Sequence, residues 1–431
     1  MKALIFSAFF STLLCSATPS QFDLRNWEGQ SYVSKVKNQS GGTCWTHGTV
    51  AALESNLALS GEWTKHEGNS EADLAEYHLD WWNGFNQHYN PDSSGGGLTV
   101  HQGGDYRVAS AYMALGGAVR NSDAQSFSEP PKQYSSTYHT YYARDIEWFD
   151  VGVDLENIES VKSALMEHGA MGTALCWAGS FYNSNSNTFY QSASSSSEPN
   201  HAVAIVDWDD QKKTAASKPG AWLIKNSWGS SWGAGGYFWI SYYDKVAGHH
   251  PEMGAVSFQN VERLKYKNIY SHDAHGWRDT KADVFEAFNA FTAKGISGGR
   301  ETLSAVSFYT TEDATEYAVD VYGAFENGEL KNVLSKAIGV QERKGFHTVD
   351  LDIPVSLQAG QKFYVSVKLS RGGHAFDRTS NVPVLLGSEG RVTVKSLAKP
   401  GESFYRKGSA WVDLTSFNGS ANFCIKGLTE S

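Results

Sequence analysis

The sequence predicts an α+β domain, with a helical lobe and an antiparallel β lobe, followed by an all-β sandwich. Three observations predict it. Val50, Leu53 and Leu57 fall at helical spacing behind a glycine-bearing loop, and Gly61 offers a stop. Two apolar runs, His201-Ala202-Val203-Ala204-Ile205-Val206 and Trp222-Leu223-Ile224-Lys225-Asn226, read as strands. After about residue 260 helical periodicity fades, and short alternating runs separated by turns take over.

The chain has 431 residues, so length suggests two or three domains, and 41% hydrophobic content is enough for large cores. A net charge of −10 with no basic run excludes a nucleic-acid surface. Met1 to Ala17 reads as a secretory signal. Lys2 is the charged start, Ala3 to Leu14 the apolar stretch, and Cys15-Ser16-Ala17 ends in small residues that a signal peptidase accepts. Leu14 is large where lipid attachment at Cys15 wants a small residue. No later stretch reaches the roughly 18 apolar residues of a membrane span. The chain is therefore expected to be exported: secreted, periplasmic or at the cell surface. Of four cysteines, Cys15 leaves with the signal, and the odd number left is not a disulfide framework. Cys176 and Cys424 are either a pair across two domains or two buried small apolar residues.

Taken in order, the first helix runs from Cys44 to about Ser60. A second is expected from Ser70, a capping residue, with Glu71 and Asp73 at its positive end and Leu74, Tyr77, His78 and Trp81 or Trp82 inward. His88 and Tyr89 lie in a polar stretch that ends at Gly95-Gly96-Gly97. His101-Gln102-Gly103-Gly104-Asp105 then precedes a helix from Tyr106 to Leu115. Asn157 to His168 reads as a helix closed by Gly169, and Met171 to Trp177 as a strand. Asn183 to Asn187 and Ser192 to Ser197 are solvated loops, and their place just before His201 also suits the rim of a cleft. Strands at Ala221 to Asn226 and Gly236 to Tyr243 complete the β lobe. In the last part Tyr317, Val319 and Val321 alternate, as do His347, Val349 and Leu351, and Phe363, Val365, Val367 and Leu369. About eight to ten strands are expected there.

Cys44 sits at a helix N-terminus, where unpaired N–H groups and the helix dipole favour a thiolate. Gln39, five residues upstream, is placed as an oxyanion donor. His201 opens a rigid strand, and another strand delivers Asn226 into Asn226-Ser227-Trp228-Gly229-Ser230-Ser231-Trp232-Gly233. A Gln, a Cys-Trp at a helix start, a His on a strand and this Trp- and Gly-rich run, in this order, resemble the papain-like cysteine peptidases over about residues 21 to 260. The resemblance implies a two-lobe papain-like domain at 18–261. It implies Cys44 as nucleophile, His201 as general base and acid, Asn226 as the group that orients His201, and Trp228 as a cover over that bond. Gln39 and the Cys44 N–H would form the oxyanion hole. Gly103 and Gly104 would pair their backbone with substrate, and Asp105 would stand near the pocket for the second residue before the cut. His47, on the same helix as Cys44, reads as a packed histidine.

The chain departs from the family in four ways. Four residues, Ser40 to Thr43, separate Gln39 from Cys44, one fewer than usual. Gly41 stands where the family carries a cysteine, so its usual disulfide is missing. Only about four residues separate the expected signal cut from Phe22, which leaves no room for the family's inhibitory segment, so no proteolytic activation is expected. Cys44, His201 and Asn226 also stand further apart than the roughly 130–150 residues common in the family. Residues 262–431 resemble the lectin-like module that follows papain-like domains in some exported bacterial proteins. The matching stretches are Phe308-Tyr309-Thr310-Thr311, His347-Thr348-Val349-Asp350-Leu351 and Lys362 to Leu369. Three functions fit: a peptidase, an inactive peptidase-like protein serving a glycan- or protein-binding sandwich, or a transferase or amidase using the same acyl-enzyme. The implied partners are a peptide or protein substrate and a glycan or cell-surface ligand at the second domain. No cofactor or metal is implied.

Overall fold

The computed structural model describes residues 18–92, 94–385 and 390–431; the signal expected at 1–17 lies outside them. The helix Cys44–Leu59 is buried from Cys44 to Leu57. Such all-round burial marks the spine of a lobe rather than a surface helix. Gly61, at φ 73°, turns the chain into a short helix, Glu62–Glu67. The second predicted helix starts later than Ser70, at Glu76, and ends at Trp82. Ser70 is used to close the preceding turn: its Oγ accepts from Trp63 Nε1 at 3.2 Å and donates to Glu67 O at 3.0 Å. The helix Tyr106–Leu115 has the predicted bounds, and its first turn is capped by Asp105, which accepts from the Val108 N–H. Ile158–His168 ends at Gly169 (φ 88°), whose N–H returns to Leu165.

The β lobe is built around His201–Asp209. Met171–Leu175 flanks it on one side, with Leu175 opposite His201, and Ala221–Lys225 on the other. Tyr237–Ser241 follows beyond Ala221–Lys225. Among the strands that carry no sequence expectation are Thr140–Phe149 and Ala255–Arg263, which pair antiparallel from Phe149 opposite Ala255 to Tyr141 opposite Arg263. The second runs across the point where the sequence divided the domains.

Thr140–Phe149 also pairs with the C-terminal part of the chain. Gly345, Phe346 and His347 lie opposite Glu147, Ile146 and Asp145. One sheet therefore continues from the β lobe into the sandwich, through Gly345–Gln358, Arg300–Thr310, Lys426–Glu430 and Asn268–Tyr270. Over it lies a six-stranded sheet ordered Glu329–Gln341, Thr315–Glu326, Lys362–Leu369, Glu286–Thr292, Ser403–Lys407, Ala410–Asp413. Val319, Val321, Phe363, Val365 and Val367 pack with Leu303, Val306, Phe308 and Leu357 to form the sandwich core. Several strands are long, the longest being the 14-residue Gly345–Gln358. Asn327 (φ 54°) and Gly328 (φ 76°) close a two-residue hairpin, the turn that this dipeptide favours.

A separate hairpin, Ser380–Pro383 paired with Arg391–Val394, projects from the sandwich. No disulfide forms among the described residues, and Cys44, Cys176 and Cys424 are all buried. No helix among the described residues is long and apolar enough to cross a membrane.

Candidate active site

The loop before Cys44 is held by backbone contacts where a disulfide was expected to be missing. Gly42 N donates to His101 O at 2.7 Å, and Gly103 N to Gly42 O at 2.9 Å. Gly41 lies at φ +66°, and a Cβ there would stand 2.8 Å from His101 O. This position excludes a cysteine both by conformation and by space. His101 is fixed from behind by Asp80 and stacks on Phe127 at 4.0 Å.

The loop thus delivers Cys44 as the first residue of the buried helix. The His201 strand and the Asn226 loop meet it from the β lobe. His201 Nε2 donates to Asn226 Oδ1 at 2.8 Å. That bond fixes the tautomer in which Nδ1 is the basic nitrogen. Trp228 stacks on the His201 ring at 4.7 Å with 24° between planes, and Trp177 meets Trp228 edge-on at 4.7 Å. The imidazole is thereby fixed by one hydrogen bond and one aromatic face. A cleft of about 690 Å³ opens here, lined by Gln39, Gly42, Cys44, Gln102, Trp177, His201 and Trp228, among others.

Gln39 N donates to Ser227 O at 2.7 Å, and Gln39 Oε1 accepts from Ser227 Oγ at 2.6 Å. Its Nε2 donates to Gly41 O at 2.9 Å. An amide nitrogen carries two hydrogens, so one is left for the cleft. Replacing Gln39 with Ala is expected to lower kcat about 10²- to 10³-fold with little change in KM, as for loss of one oxyanion donor. Steady-state kinetics on a short peptide checks this. A change confined to KM would give Gln39 a binding role instead.

The electrostatics differ from the expected thiolate. Cys44 is 2% exposed and His201 4%. Burial pushes the Cys44 thiol up to about 11 and the His201 imidazole down to about 4. In this closed arrangement the pair rests as neutral thiol and neutral imidazole, and the thiol donates to Leu385 O at 3.4 Å.

Beneath the site lies an ionic network that sequence reasoning missed. Lys37 Nζ reaches Glu54 at 2.7 Å, Asp73 at 2.8 Å and Glu76 at 2.6 Å. Burial alone would lower the Lys37 pKa, but the three carboxylates outweigh it and raise it. Lys225, next to Asn226, is buried and donates to Ser34 Oγ at 2.7 Å; burial pushes its ammonium down to about 8. The network ties the Gln39 loop, the Cys44 helix and the Asn226 strand together. Residues from four separate stretches build it, so no local spacing announces it.

The remaining expected residues are placed as follows. Gly103 lies against Val384 and Leu385, and a Cβ on Gly104 would fall 2.6 Å from the Trp45 ring. Asp105 is fully buried. Its Oδ1 caps the helix at Val108 N, 2.8 Å away, while its Oδ2 has no hydrogen-bond partner among the described residues, and burial raises its pKa. The structure thus gives Asp105 the post of a helix cap. His47 Nδ1 bonds to Thr43 O at 2.8 Å, a packed histidine. The Ser192–Ser197 stretch is tied back through Ser197 O, which accepts from Gln191 Nε2 at 2.9 Å and Lys245 Nζ at 3.1 Å. Among the described residues no group of His, Cys, Asp and Glu is placed to hold a metal ion.

Comparison with known proteins gives two family matches. The papain family cysteine protease model matches residues 18–255, and the lectin like domain model matches residues 269–429. Bovine pro-cathepsin H is 28% identical over 251 residues, covering 54% of this chain and 66% of that protein. Mouse cathepsin K is 28% identical over 223 residues, covering 51% of this chain and 58% of the relative. The chain thus spans less than two thirds of either relative's length. Two solved structures share the arrangement across both domains. One is of the cysteine protease and lectin-like domains of Cwp84, a surface layer associated protein of Clostridium difficile. It is 22% identical, with a TM-score of 0.72, and covers 96% of this chain and 90% of that one. The other, the same protease after propeptide cleavage, has a TM-score of 0.73 at 22% identity, covering 96% of this chain and all of that one.

Proposed function

From the premise that the chain belongs to the papain family of cysteine proteases, we propose that it is an exported peptidase that hydrolyses peptide bonds through a thioester on Cys44. The observation that carries this reading is the His201–Asn226 bond of 2.8 Å under the Trp228 face, in the same cleft as Cys44.

His201 Nδ1 takes the thiol proton, and the sulfur attacks the substrate carbonyl carbon. The carbonyl oxygen becomes an oxyanion facing the Gln39 amide and the Cys44 N–H. His201 returns its proton to the leaving amine, which departs and leaves the thioester. A water that gives its proton to His201 then releases the acid. Asn226 orients the ring without adding charge. Trp228 keeps water from the bond between them, where the low dielectric strengthens it. Gly103 and Gly104 offer backbone groups to the substrate, and Asp105 acts on that strand only through the helix start it caps.

The surface-layer association of Cwp84 agrees with a secreted, periplasmic or cell-surface location for this chain. A glycan or another cell-surface ligand is the partner proposed for the C-terminal domain. The test is a mass spectrum of a peptide mixture incubated with residues 18–431 and a reductant. Cut peptides that together gain one water are expected. Products joined to an added amine, without hydrolysis, would make the chain a transferase.

A further inference from the structure

We propose that Val384–Leu385 of the C-terminal domain is a built-in occupant of the peptide cleft, which excludes substrate from Gly103–Gly104 until it is displaced. The proposal rests on the peptidase reading of the cleft and adds a means of restraint to it.

The limb leaves the hairpin strand Ser380–Pro383, and Val384 N donates back to Gly390 O at 3.1 Å. Leu385 then spends both backbone groups on the other domain. Its N–H donates to Gly104 O at 3.3 Å, and its carbonyl accepts from the Cys44 thiol at 3.4 Å. This is how an added peptide strand uses its main chain. The side chains follow: Leu385 is 1% exposed, in the same apolar core as Cys44, Trp45 and Met253. Val384 Cγ1 stands 2.4 Å from where a Gly103 Cβ would be, so only glycine (φ +96°) admits the limb this closely. Two anchors hold the hairpin on the peptidase domain. Arg391 Nη2 meets Glu252 Oε1 at 2.6 Å, and Lys395 Nζ meets Asp92 Oδ2 at 3.4 Å.

The seating is that of an inhibitor rather than a substrate. A carbonyl about to be attacked directs its oxygen to the oxyanion donors. Leu385 O instead accepts the thiol proton. A sulfur that donates a proton is not a nucleophile. The anchors are partly exposed, with side-chain exposures of 48% for Arg391 and 59% for Lys395, so salt screens them and release is reversible.

The experiment compares the full chain with a Val384→Ser/Leu385→Ser double variant. Iodoacetamide labelling of Cys44 needs no turnover, and Cys424 labelling serves as the internal control. The variant is expected to label Cys44 about tenfold faster and to lower KM for a short peptide with kcat unchanged, as removal of a competing closed population requires. High salt should speed labelling of the unaltered chain in the same direction. If the double variant loses its thermal unfolding transition, Arg391→Ala, which removes the exposed Glu252 anchor and a bond to Asn381 O, should give a smaller rise of the same sign. Equal labelling rates in folded variant and unaltered chain overturn the proposal. So does an intact mass showing the chain cut just behind Leu385, since the limb would then be a substrate. Faster labelling without turnover in any form would instead remove the peptidase reading and leave the occupant in place.

Discussion

Replacing Cys44 with Ala is expected to abolish turnover and leave the fold intact. The side chain lies at the start of a buried helix, and its backbone belongs to the helical spine whatever the side chain is. Alanine keeps the β-carbon and removes only the sulfur from a nearly dry position, a small change in packing. The chemistry has no substitute, because among the described residues no other thiol or hydroxyl side chain lines the cleft beside His201. Loss of a nucleophile costs about 10⁶-fold in kcat in a comparable serine enzyme. Progress curves with reductant, read beside a thermal unfolding curve, check both halves. Residual turnover within tenfold of the parent would show that Cys44 is not the nucleophile.

The second large effect is at His201. His201→Ala removes the group proposed as base for the thiol proton and acid for the amine, so a loss of at least about 10⁴-fold is expected, the upper end for general acid–base catalysis. Asn226→Ala should lose far less. A hydrogen bond to a charged group contributes about 1.5–3 kcal/mol, or roughly 10- to 150-fold. The Trp228 face at 4.7 Å still restrains the ring when that bond is gone. The comparison is made on kcat/KM for one substrate. Losses of similar size in the two variants would mean that Asn226 holds the loop rather than the ring, or that the base is misassigned.

Much of this was legible in the sequence because papain-like chemistry is carried by local signatures. Cys44-Trp45 at a helix start, His201 at a strand start and the Asn226-Ser227-Trp228-Gly229 run each declare themselves within a few residues. The helices Tyr106–Leu115 and Ile158–His168 were equally plain: Asp105 caps the first, and Gly169 closes the second. The helix expected from Ser70 failed because Ser70 serves a tertiary contact with Trp63. Thr140–Phe149 was hidden because Arg144, Asp145 and Glu147 interrupt its apolar residues. They are tolerated there because the strand has partners that answer charge: Arg144 reaches Asp350 at 2.9 Å, and Asp145 reaches His347 at 3.1 Å. The neutral state of Cys44 was not legible at all. It follows from the burial of Cys44, and the carbonyl that accepts its proton, Leu385 O, lies 341 positions away in sequence.

The ladder of Gly345, Phe346 and His347 on Glu147, Ile146 and Asp145 makes the two domains one mechanical body. A hinge needs a few loop residues that absorb rotation while packed surfaces part. Here rotation of the sandwich against the β lobe would tear main-chain bonds in the middle of a sheet, between two strands that each have a further partner. Slow swinging of whole domains would therefore break this ladder before it admitted a long peptide. Movement at the cleft falls to short segments on its rim, which rearrange within nanoseconds to microseconds. Access to Cys44 is then paced by loops, and the sandwich serves as the rigid mount from which one of them is hung.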